Sequence, residues 1–194
     1  YGPLSFDHTH NFKAAFVYDL PFGTGQHFAS SSRAANAVLG GWKLNGVFSA
    51  FSGSPLQVSQ DSVNPQFATF DTPQVPLHTG AVQYLGAANN LSGFPMWFNP
   101  SAFAVNNSPT YVGDVGNQIS WFRGPGLWQL DSSLARTFKL SERFSLEVRA
   151  EAQNIANAPH FYNPNTDVSS GTFGELTGGS YGERHIQFGG FLRF

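Results

Sequence analysis

Cysteine is absent from this 194-residue chain, which removes disulfide frameworks, cysteine zinc sites and thiol catalysis together. Charge is scarce as well. Asp, Glu, Lys and Arg make up 11% of the residues, against about 25% in an ordinary soluble domain, and the formal net charge is only -2. There is no basic stripe to follow a nucleic-acid backbone and no Lys/Arg cluster of the kind that grips an anionic membrane surface, so nucleic acid is excluded as a partner. No run of about 18 apolar residues occurs, so a transmembrane helix is not expected. The amino end, Tyr1-Gly-Pro-Leu-Ser-Phe-Asp7, has neither the basic nor the apolar region of a signal peptide. The missing initiator Met suggests a processed or excised piece of a longer chain. None of these absences touches a protein that crosses a membrane with strands.

Aromatics are what the sequence has instead: 20 Phe and 15% aromatic residues overall, beside 21 Gly, a balance that fits extended sheet. The last ten residues, His185 to Phe194, alternate so that Ile186, Phe188, Gly190, Leu192 and Phe194 share one strand face. An apolar, outward-facing Phe194 needs a neighbouring sheet or a bilayer to receive it.

The same period of two recurs upstream. Phe12, Ala14, Phe16 and Tyr18 alternate with more polar neighbours until Pro21-Phe-Gly-Thr-Gly25 stops the pattern. After a short helix expected from Arg33 to Leu39 come Trp42, Leu44, Gly46, Phe48 and Ala50. Trp128, Leu130, Ser132, Leu134, Arg136 and Phe138 form a third set, less clean because of Ser132 and Arg136. Beyond the short turn Lys139-Leu-Ser-Glu-Arg143, Phe144, Leu146, Val148, Ala150 and Ala152 face one way and Ser145, Glu147, Arg149, Glu151 and Gln153 the other. The expected fold is all-β: an antiparallel meander of about five long strands near 10–20, 41–52, 127–139, 143–155 and 184–194. One very long loop with local turns is expected over 53–126, and no plug domain within the chain. Long loops alternating with short turns are the layout of an outer-membrane barrel. A soluble two-sided sandwich, with exposed aromatics as a carbohydrate platform, is the other reading of the same strands.

Catalytic signatures are missing: no phosphate loop after a strand, no Gly-x-Ser-x-Gly elbow and no His-Glu-x-x-His, so no enzyme and no cofactor are expected. His8 and His10, on one face of an extended segment beside Asp7, are a weak candidate metal site, and a polar strand entrance is the plainer reading. Glu147 and Glu151 flank Arg149 on one face, which suits mutual neutralisation on a polar lumen wall better than a pair of catalytic carboxylates. The aromatic islands at Trp97, Phe98, Tyr111 and Trp121 either touch a ligand or pin the loop.

Tyr1-Gly-Pro, Tyr18-Asp-Leu-Pro-Phe-Gly23, Leu39-Gly-Gly-Trp42, Trp97-Phe-Asn-Pro100, Arg123-Gly-Pro-Gly-Leu-Trp128, Arg149-Ala-Glu-Ala152 and Gly182-Glu-Arg184 occur in this order along the chain. Together they resemble the C-terminal region of TonB-dependent outer-membrane receptors, most closely the Oar-like receptors with a carboxypeptidase-regulatory-like domain. The resemblance implies a 22-stranded barrel, a plug, a TonB box and energy-coupled uptake of a bulky ligand. It implies outer-membrane lipid as a partner of the apolar strand faces, and Ile186, Phe188, Leu192 and Phe194 as a C-terminal assembly signal. Localisation is expected at the outer membrane of a Gram-negative-type bacterium or outside the cell.

Five strands cannot close such a barrel. The first and fifth would run in the same direction, so copies placed side by side would meet in parallel, unlike single-chain bacterial barrels. Either strands of the same polypeptide complete the wall, or copies associate through strand edges into a homo-oligomer or an extracellular filament. A non-enzymatic, self-associating structural chain is the first expectation, and the C-terminal part of an intact receptor is the alternative.

Overall fold

The computed structural model describes residues 2–28, 32–61, 74–86, 94–116, 119–178 and 180–194. In chain order the elements are β1 (Asn11–Asp19), α1 (Arg33–Leu39), β2 (Lys43–Phe51), β3 (Pro55–Leu56), β4 (Leu77–His78), a 3-10 turn (Pro100–Ala102), β5 (Phe103–Ala104), β6 (Ile119–Arg123), β7 (Leu127–Lys139), β8 (Ser145–Gln153), β9 (His160–Phe161), β10 (Ser180–Tyr181) and β11 (His185–Arg193). They form two compact units. One comprises residues 11–50, 128–159 and 182–194, and the other 1–10, 51–127 and 160–181.

The first unit is built on a five-stranded sheet in the order β1-β2-β7-β8-β11, so the long strands are neighbours in the order in which the chain meets them. β7 and β8 pair antiparallel, with Leu134 opposite Ala150 and Phe138 opposite Leu146. β8 and β11 do the same, with Ile186 opposite Ala152 and Leu192 opposite Leu146. The turn between β7 and β8 is tied by the Ser141 hydroxyl, which accepts from the backbone N–H of Arg143 and Phe144 at 3.3 and 3.2 Å. Ser32 caps α1 by accepting from the Ala35 N–H. Just past the helix, Gly40 lies so close to Gly23 that a Cβ on either would fall within 2.8 Å of the other's Cα. At the exit of β8 the chain turns through Asn154 and Asn157, both at positive φ. Asn154 is held by bonds to both the N–H and the C=O of Ala158.

The second unit contains most of the segment expected as one very long loop with local turns. The described residues of 53–126 and of 160–178 enclose a core of Leu56, Val58, Phe98, Ala102, Phe103, Val115, Ile119, Phe122 and Phe173, and the parts of the expected loop at 62–73, 87–93 and 117–118 lie outside the described residues. Short two-stranded ladders frame it, β3 with β6, β4 with β5, and β9 with β10. Phe98 and Phe122, both fully buried, meet edge to face with centroids 4.8 Å apart. Side chains supply much of the remaining order. Asn106 is fully buried and donates through Nδ2 to the carbonyls of Val75 and Tyr111, while its Oδ1 accepts from the Ser108 N–H. Gly53 passes so near Gly124 that a Cβ would sit 1.8 Å from the Gly124 carbonyl oxygen. Among the described residues of this segment, apolar side chains that are scattered in sequence converge in space.

Candidate functional site

The sheet of the first unit has two chemically opposite faces. Strand pairing puts Phe144, Leu146, Val148, Ala150 and Ala152 of β8 and its turn beside Leu134, Arg136 and Phe138 on one flank and Ile186, Phe188 and Leu192 on the other. Ring contacts extend this face across the sheet: Phe12 with Phe48 at 6.0 Å, Phe48 with Trp128 at 6.1 Å, and Trp42 with Phe138 at 6.5 Å. Phe16 lies over Gly46, where a Cβ would meet its ring. Leu44 and Leu130 are half-buried in the same strands, and Tyr18 is exposed. The face is strongly exposed, reaching 83% at Phe188 and 94% at Phe194, with Phe12, Phe16, Phe144, Val148, Ile186 and Leu192 also open. This is the inverse of a soluble sheet, which would put such residues inside.

Across β7, β8 and β11 the opposite face is polar and internally bonded, while β1 and β2 add exposed Val17 and Val47 to it. Glu147, only 8% exposed, accepts from Arg149 Nη2 at 2.5 Å and from Arg193 Nη2 at 2.8 Å. Arg149 Nη1 donates to Glu151 at 3.1 Å, and Gln187 donates to the other oxygen of Glu151. The Arg149 guanidinium also lies 5.5 Å from the Phe191 ring centre, which explains an aromatic on this side. Asn45 of β2 donates to Ser133 of β7 at 3.2 Å. Above these strands is an open hollow of about 520 Å³ of mixed lining, with Asn45, Asp131, Glu151 and Gln187 beside Val47 and Ile186. Each carboxylate of the ladder already faces a donor, so the wall presents a balanced set of charges.

The residues predicted for each face are therefore assembled as two faces. Glu147, Arg149 and Glu151 form the expected ladder, and Arg193 and Gln187 join it. Their positions alternate with Leu192 and Phe188, a parity readable in the sequence, but the contact needs the β8–β11 register. The loop aromatics divide. Phe98 is fully buried and Trp97 donates through Nε1 to the Arg123 carbonyl at 2.9 Å, so both pin the core, whereas Tyr111 and Trp121 are about half exposed. The histidine pair is not assembled as a metal site. His8 Nδ1 contacts the Ser52 carbonyl oxygen at 2.5 Å, and the His10 backbone pairs with Ser52. Among the described residues no group of three or more His, Cys, Asp or Glu converges. Asp7 is drawn instead to Arg123, at 2.8 Å.

A strand of nine residues such as β8 is about 30 Å long. Tilted by about 40°, it rises roughly 23 Å, close to the apolar band of about 25 Å on a barrel's outer surface. Apolar outside, polar inside and strands of this length define a wall segment of an outer-membrane β-barrel. The chain belongs to the family described as Outer membrane beta barrel domain, whose model matches residues 1–187, and its place is the outer membrane. No curated protein and no solved structure matches the chain significantly.

Proposed function

We propose that the chain is the non-enzymatic C-terminal wall of a large outer-membrane receptor, with lipid against its apolar face and a ligand pathway or plug against its polar face. The observation that carries this reading is the separation of the two faces of one sheet, ending in the Glu147–Arg149–Glu151–Arg193 network on the polar side. A lumen wall that held unpaired charges would trap counter-ions or substrate, and this one is neutralised within itself. The resemblance to TonB-dependent receptors supplies the finer reading: energy-coupled uptake of a bulky ligand, bound outside the cell by the long connections. Ile186, Phe188, Leu192 and Phe194 then act as the signal that directs assembly into the membrane.

The test is photo-crosslinking from Gln187 in the intact barrel in its native membrane. A crosslink to a segment of the same polypeptide preceding the barrel supports a plugged, TonB-coupled receptor. Crosslinks to lipid alone would oppose it, because they would turn the polar face outward.

A second reading is favoured by the outer edges of β1 and β11, each of which has one neighbour in the sheet among the described residues. Copies joined through those edges would form an extracellular filament, with the Phe-rich faces buried against other copies. Electron microscopy of the native species in detergent-free buffer separates the two: ordered filaments support the polymer, and order that appears only in detergent or lipid opposes it.

A further inference from the structure

Arg136 is the one charged residue on the apolar face of the sheet. By register it lies opposite Val148, beside Phe138 and Leu134, where every other assigned position is apolar, Ser or Gly. A guanidinium among lipid chains is costly unless it reaches polar partners near the interface. The structure shows how far this one is provided for. Its Nη1 donates to the Val38 carbonyl at 2.6 Å, at the C-terminal end of α1. Trp42 Nε1 donates to the same oxygen at 3.0 Å. The guanidinium carbon lies 4.2 Å from the Phe138 ring centre and 6.0 Å from that of Trp42, so aromatic rings flank the cation.

One bond to a carbonyl leaves most of a guanidinium's five N–H donors unused, and among the described residues Val38 is its only hydrogen-bond acceptor. The site is three positions from the end of β7, on the side of the short turn to β8. In outer-membrane barrels short turns lie on the periplasmic side, so the neighbouring leaflet is the inner one. Exposed Val38, Leu39, Leu140 and Phe144 provide apolar surface at this end of the unit.

We propose that Arg136, held by the Val38 carbonyl and flanked by Trp42 and Phe138, binds the phosphodiester of a glycerophospholipid in the periplasmic leaflet. The remaining donors form a planar fork, which matches two phosphate oxygens, while the lipid chains lie on the apolar strand face. The Val38 oxygen, shared with Trp42, fixes the plane of the fork. The inference rests on the membrane reading above.

The test uses the intact barrel, refolded into bilayers of phosphatidylglycerol and phosphatidylcholine, extracted in detergent and weighed by native mass spectrometry for retained phospholipid. Wild type should retain phospholipid. Arg136→Gln should lose about tenfold in retention, the scale of one charge-assisted bond, and Arg136→Lys, which keeps charge without the fork, should lie between. Equal retention in wild type and Arg136→Gln would overturn the assignment. Loss of retained lipid on adding millimolar inorganic phosphate would also overturn it, in favour of a soluble-anion site. If Arg136→Gln fails to fold, wild type alone decides: its thermal midpoint should be higher in phospholipid than in galactolipid bilayers, and equal midpoints would contradict the proposal. Failure of wild type to insert at all would instead sink the membrane reading.

Discussion

Gln60 and Asn106 bond as two paired strand residues would, although one partner is a side chain. The Gln60 amide donates to the Asn106 carbonyl at 3.1 Å and accepts from the Asn106 N–H at 2.8 Å. Both residues are buried, so removing the amide strands two backbone groups away from water. Gln60→Ala should therefore cost the second unit about 2–4 kcal/mol. The readout is hydrogen exchange at the Asn106 amide together with protease sensitivity of residues 53–126, with the five-stranded sheet unaffected. Unchanged protection at Asn106 would show that the side-chain pairing is incidental.

Glu147 holds two arginines while being nearly buried itself. Glu147→Gln should lower stability in a urea titration of the membrane-embedded barrel by about 1–3 kcal/mol, discounted because Arg193 is largely exposed. Glu151→Gln should cost less, because its carboxylate is more open and meets Arg149 on one side only. An equal loss for the two variants would contradict the picture of Glu147 as the centre of the network.

The sheet was legible in the sequence because a strand with one apolar and one polar face writes its period into consecutive residues. Leu146, Glu147, Val148, Arg149 and Ala150 alone define both faces of β8. The second unit was not legible, because Phe98, Phe103, Phe122 and Phe173 stand far apart among Pro, Gly and Asn with no period to join them. Their contacts depend on two-residue ladders and on the amides of Gln60 and Asn106, which sequence reading treats as ordinary loop polarity. The Trp97-Phe98 island was visible as apolar, but nothing local distinguishes a core anchor from a ligand contact. Arg136 was visible as a blemish in an apolar face, and only the fold brings Val38 and Trp42 to it.

Gly53→Ala should destabilise the second unit by about 1–3 kcal/mol, since the new Cβ would collide with a backbone oxygen that cannot rotate away. Differential scanning of loop proteolysis against temperature reads this. Gly80→Ala, with open space around its Cα, is the matched control and should be neutral.

Phe188→Arg should destabilise the membrane-embedded barrel by about 2–4 kcal/mol, as expected for a charge near the bilayer midplane, whereas Gln187→Arg, one residue earlier and on the other face, should change it little. Urea midpoints in vesicles provide the comparison. Equal effects would remove the distinction between the faces of β11.

The most direct test of the account is a single-cysteine scan of Ser145–Gln153 in outer membranes, made clean by the absence of any other cysteine in the chain. Leu146, Val148, Ala150 and Ala152 should react with a lipid-soluble thiol reagent. Ser145, Glu147, Arg149, Glu151 and Gln153 should react with a water-soluble one, giving a period of two along the strand. Uniform reaction of all nine positions with the water-soluble reagent would contradict a membrane wall.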